Sequence, residues 1–205
     1  MQEFVNPDLL RNGIFDLLSS VNLATEQNTE LLNYTIDLFN ENGLSSDYYG
    51  YHNIDHELEV TYVTLMSAIH SLNEKKFVLD DVKYLFASAL LHDFDPRKAS
   101  DRPHEKSVID FINKDKKIQQ LLQDAMIDSN IICALILRTV YPWTGEVKSK
   151  TEEEIKNYLI SSSHTRGDTE KQDHFMKLGH FLSISDRIGG YALGDFLKAM
   201  EMAKM

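Results

Sequence analysis

The chain has 205 residues, 42% of them hydrophobic and 26% charged, with a formal net charge of -11 and a single cysteine. This length and apolar content support a single domain with a sizeable core, and the acidic balance disfavours nucleic acid and anionic membranes as partners. One cysteine allows no intrachain disulfide, and no signal peptide or membrane-length apolar run is present. The sequence therefore reads as a cytoplasmic protein whose partner is a small molecule.

The hydrophobic pattern is helical almost throughout, without convincing period-two alternation, so the expected fold class is all-α, a compact bundle. Asn6-Pro7 reads as an N-cap and first helical residue of a helix through Leu17-Leu18. A second helix is expected from Glu26 to Asn40, stopping near Gly43. A third starts around Asn53 and carries Leu58, Val60, Val63, Leu65, Met66 and Ile69; a fourth runs from Asp80 to about His92. Asp101 and Pro103 open a helix through Phe111-Ile112, and further helices cover Ile118 to Met126 and Asn130 to Thr139. Thr151-x-x-Glu154 reads as a capping box for a short helix ending at Ser161-Ser162-Ser163. A long helix is expected from Thr169 to Ile188, broken by Gly189-Gly190, with a last helix to Met205. That last helix carries no stop signal, as in a piece of a longer chain. Residues 1–45 supply helices that pack on a motif-bearing core at 50–191, and no linker or repeat divides them.

Three segments carry chemistry. His52 and His56 are four apart, so on a helix they share a face with Val60 and Val63 and turn inward. His92-Asp93 closes the fourth helix after the small, apolar run Ala87-Ser88-Ala89-Leu90-Leu91. A buried Asp beside a His is costly unless paired or ligated. Asp186 lies on the stripe Phe175, Gly179, Leu182, Asp186, which faces the core; it either joins the histidines or pairs with Arg187. Two His and two Asp from three helices can surround one divalent ion (Mn, Zn, Fe or Mg) and leave positions open for water.

In order and spacing, Tyr51-His52-Asn53-x-x-His56, then Leu90-Leu91-His92-Asp93, then Ser185-Asp186 resemble the H…HD…D signature of HD-domain phosphohydrolases. The first motif is similar to that of class I cyclic nucleotide phosphodiesterases. The resemblance covers about Tyr51 to Tyr191. It implies His56, His92, Asp93 and Asp186 as metal ligands and His52 and Asp93 as catalytic residues. His52 would be the general acid, supported by Asn53 and Tyr51. It places His104 and Glu105 as contacts to a second ion or its water. The second motif here continues Phe94-Asp95-Pro96-Arg97, where the phosphodiesterases have a further His, so a second ligand set is not implied. The activity implied is hydrolysis of a phosphate ester, a nucleotide or cyclic nucleotide among the options. A non-catalytic metal- or ligand-binding module is the alternative, and a di-iron oxygenase a more distant one.

Arg138, Arg187 and Lys83 are the basic residues to examine for phosphate contacts, and Tyr141-Pro142-Trp143-Thr144-Gly145 either packs or lines a substrate mouth. Cys133, inside an apolar run, is expected in the core. His70, His164, His174 and His180 have no partner that sequence identifies. Oligomeric state is open, a homodimer included.

Overall fold

A computed structural model describes residues 7–44, 52–98 and 103–193. Among these the chain forms nine helices and no strand: α1 (Pro7–Ser20), α2 (Glu26–Glu41), α3 (Ile54–Asn73), α4 (Leu79–Leu91), α5 (Glu105–Lys114), α6 (Lys116–Asp124), α7 (Ser129–Leu137), α8 (Gly145–Ser161) and α9 (Thr169–Leu193). The all-α expectation is met. Short polar side chains start several helices by accepting from backbone N–H groups one turn in: Thr25 for α2, Asp115 for α6 and Asp128 for α7.

The bundle centres on α7, where every residue from Ile131 to Leu137 is buried, Cys133 included. Burial of each aliphatic side chain there contributes about 1.5–3 kcal/mol. Helix α7 packs on α4, α5, α8 and α9, while α3 lies against α1, α4 and α9. Three helices that meet in this way, α3, α4 and α9, bring the three motif segments together. No single described helix is long and apolar enough to cross a membrane.

Three expectations about helix ends are corrected. Helix α8 begins at Gly145, a turn and a half before the proposed capping box, so Thr151 is an interior residue and is buried. The first turns of α8 are held by surface ion pairs four residues apart, Glu146 with Lys150 and Lys148 with Glu152. Helix α5 starts at Glu105 with His104 as its N-cap, later than Asp101-Pro103 suggested. Helix α9 continues through Gly189-Gly190 to Leu193, since glycine weakens a helix by about 1 kcal/mol each without removing a hydrogen-bond donor. Asn6 and the segment after Leu193 lie outside the described residues.

Candidate metal centre

Helix α3 opens at Ile54, with Asn53 as N-cap: its Oδ1 accepts from the backbone N–H groups of Asp55 (3.0 Å) and His56 (3.2 Å). The expectation of one helical face carrying both histidines is therefore corrected. Only His56 is in the helix, one turn in and buried, and His52 precedes the cap. The two nonetheless converge, because His52 Nδ1 reaches Asp93 Oδ2 at 2.7 Å.

Helix α4 ends at Leu91, and His92 is its C-cap. His92 Nδ1 lies 2.8 Å from the Ala89 carbonyl oxygen, which can only accept, so Nδ1 carries the proton. Neutral His92 then turns a lone pair at Nε2 toward the interior, the tautomer a metal ligand needs. Nε2 is buried and makes no hydrogen bond. It faces two carboxylate oxygens, Asp93 Oδ2 at 3.4 Å and Asp186 Oδ1 at 3.5 Å. His56 Nε2 lies 3.4 Å and 3.3 Å from the same two oxygens.

One ligand atom each from His56, His92, Asp93 and Asp186 thus falls within 4.8 Å of the others, and the four could hold a metal ion. Nitrogen and oxygen ligands about 2.1 Å from a tetrahedral ion stand about 3.4 Å apart. The four nitrogen–oxygen separations, 3.3 to 3.5 Å, match that spacing. The donor set, two imidazoles and two carboxylates, suits Zn, Mn or Fe.

Electrostatics tie the four together. Burial alone pulls His56 down, but the Asp186 and Asp93 carboxylates override it and raise it to about 9. Burial likewise opposes charge on His92, and the charges of Asp93 and Glu57 outweigh it and raise His92 well above its ordinary value. Asp93 is held well below the usual carboxylate range by His92 and His52 in spite of its burial. Asp186 is lowered, against burial, by the His56 and His92 imidazoles that face it at 3.3 and 3.5 Å. A divalent ion would replace the histidine protons as the positive charge facing these carboxylates.

Glu57 belongs to this site and sequence reasoning missed it. It is fully buried, with Oε1 3.2 Å from His92 Nδ1 and 3.5 Å from the Asp93 backbone N–H. Burial raises its carboxyl, and the neighbouring His92 works against that rise. The signal was an acidic residue on the buried stripe Glu57, Thr61, Thr64, Ala68 of α3.

The other predicted site residues are distributed differently. His104 Nδ1 accepts from the Lys106 backbone N–H, capping α5, and neither His104 nor Glu105 is in the four-residue group. Lys83 pairs with Asp80 at 3.2 Å. Arg138 stacks on Trp143 and Arg187 on Tyr141, with 3.8 and 5.2 Å between guanidinium carbon and ring centre. Tyr51 lies outside the described residues. Three histidines without an expected partner have one: His70 Nε2 meets Glu74 at 3.3 Å, His174 Nε2 meets Asp81 at 2.7 Å, and His180 Nδ1 meets Arg138 Nη2 at 2.9 Å. Compared with known proteins, the chain matches no family model, no curated protein and no solved structure.

Proposed function

We propose that the protein is a metal-dependent phosphohydrolase of the HD type, acting on a small phosphate ester such as a nucleotide or cyclic nucleotide. The observation that carries this reading is the convergence of His56, His92, Asp93 and Asp186, with a buried His92 Nε2 turned toward two carboxylates and making no hydrogen bond. His56, His92, Asp93 and Asp186 would hold a divalent ion, which would supply Lewis-acid activation of water near neutral pH. Ala89 and Glu57 fix the His92 ring from behind. Asp93 Oδ2 holds the Nδ1–H of His52, which orients the ring so that, as an imidazolium carrying a proton on each nitrogen, it delivers the Nε2 proton to the departing oxygen. His52 is half-buried at the edge of the cluster, as a group that must meet a substrate requires.

The test is hydrolysis of bis-p-nitrophenyl phosphate with added Mn, with metal content measured on the same samples. Wild-type protein is expected to turn over. His92→Ala should lose metal and activity together, while His52→Gln should keep the metal and slow by about 100-fold or more. Metal-loaded protein inert toward every phosphate ester tried would leave a non-catalytic binding module. Wild-type rates in His52→Gln would remove the acid role.

A further inference from the structure

A second constellation on α9 is basic. Arg138, the C-cap of α7, is only 8% exposed. Its seat depends on Gly179: a Cβ there would lie 2.8 Å from Arg138 Cβ and 3.5 Å from Leu135 Cα. A helix-interior glycine costs about 1 kcal/mol against alanine, so the close approach of α7 and α9 is what the residue permits. The guanidinium lies 3.8 Å from the Trp143 ring centre, and its Nη2 donates to His180 Nδ1 at 2.9 Å. Nη1 is buried with no hydrogen-bond partner among the described residues.

Arg187 follows His180 by seven residues, on the same face of α9, and lies over the Tyr141 ring at 5.2 Å. The chain has 32 acidic residues against 21 lysines and arginines, yet no described acid forms an ion pair with either arginine. Burial and the second guanidinium both pull Arg138 below its ordinary value, and the charge of Glu152, outside ion-pair distance, offsets this only in part. A buried guanidinium with one nitrogen left without an acceptor is unfavourable unless a ligand completes it.

The donors suit one type of guest. Arginine only donates, so His180 Nδ1 accepts and its Nε2 carries a proton. Burial, Arg138 and Arg187 lower His180, keeping it in that neutral form. Arg138 Nη1, the Arg187 fork and the His180 Nε2–H are together suited to a phosphate or carboxylate group.

We infer that Arg138, Arg187 and His180, walled by Trp143 and Tyr141, form an anion subsite distinct from the His/Asp cluster. His180 and Asp186 stand about 9 Å apart along the axis of α9 and both carry short side chains, so one phosphate group does not touch both; the longer Arg187 side chain lies near enough to act electrostatically on both Arg138 and His180. Resting on the hydrolase reading, the substrate is then a phosphate ester that carries a second anionic group. The subsite itself does not depend on that reading.

Trp143 is the sole tryptophan, so its emission reports on the Arg138 contact. The experiment titrates inorganic phosphate into full-length protein stripped of metal and freed of chelator, at ionic strength held constant with chloride. Wild type should give a saturable change in emission. Arg138→Gln and the exposed Arg187→Gln should each weaken it by about tenfold or more while far-ultraviolet dichroism stays helical. If Arg138→Gln fails to fold, Arg187→Gln decides. His92→Ala should respond as wild type does. No saturable response in wild type, an undiminished response in Arg187→Gln, or loss of the response in His92→Ala would overturn the subsite. Phosphate binding without any phosphohydrolase activity would retain the subsite and refute only the substrate role.

Discussion

Asp93 and Asp95 are two residues apart, both follow α4, and they do different work. Asp95 is fully buried and each of its oxygens is satisfied: Oδ1 accepts from the Arg97 backbone N–H at 3.1 Å and from Ser107 Oγ at 2.5 Å, and Oδ2 from the His104 backbone N–H at 3.1 Å. It ties the loop after α4 to the start of α5. Asp93 Oδ2 is instead surrounded by three imidazoles, one at hydrogen-bond distance and two at 3.4 Å. Neutral donors at hydrogen-bond distance make a carboxylate structural. Imidazole nitrogens held just beyond that distance, one with a lone pair fixed toward the carboxylate, give it the surroundings of a group that could hold a metal ion.

Substitution should separate the two aspartates most sharply. Asp93→Asn is expected to weaken Mn or Zn binding by about 100-fold or more, since it removes charge and a ligand atom at once. Asp95→Asn should bind metal within a few-fold of wild type but lose about 1–3 kcal/mol of stability, through the buried groups left unpaired. Calorimetric titration and thermal melts read both. Metal binding lost equally in both variants would end the distinction.

Glu57→Gln sharpens the same contrast one contact further out. Weakening its hold on His92 should lower metal affinity by about 10–100-fold with the helical fold retained, again by calorimetric titration. Unchanged affinity would mean that the Ala89 carbonyl alone orients His92.

A smaller effect concerns pH. Without a metal, His56 titrates at about 9, above its ordinary 6.5. Its contribution is fully present below pH 6.5 and is lost as pH rises through about 9. Asp93, held below its ordinary 3.8, contributes above that value and loses its contribution only as pH falls beneath it. Stripped protein should therefore be most stable between these limits and melt at lower temperature at pH 9 than at pH 6. Metal-loaded protein, its histidines already deprotonated, should lose much less. Equal pH profiles for the two forms would contradict the assignment of His56 as a ligand.

Cys133 provides the smallest effect and a control. Burial pushes its thiol up to about 12, the opposite direction from Asp93 and Asp186, which have imidazoles against them. It should resist thiol reagents at pH 8 in the native protein and react once unfolded. Prompt reaction in native protein would show that the α7 core is open.

Much of this was legible in the sequence, and the part that was not has physical reasons. Helical periodicity located the core of each described helix, and the four cluster residues stood out because carboxylates and imidazoles on apolar stripes need partners. The first turns of α8 escaped notice because surface ion pairs, not an apolar stripe, hold them. Asn53 explains why His52 is outside α3, a distinction that four-residue spacing cannot make. Glu57 reads as a surface charge until α4 is packed against it. His180 and Arg138, 42 residues apart, meet only because Gly179 lets two helices approach.

The most direct test is the metal content of stripped wild-type protein after equilibrium dialysis against Mn or Zn, with His92→Ala alongside. About one ion per chain in the wild type and none in the variant is the expected result. No retained ion in the wild type, or equal retention in His92→Ala, would contradict a metal centre at His56, His92, Asp93 and Asp186.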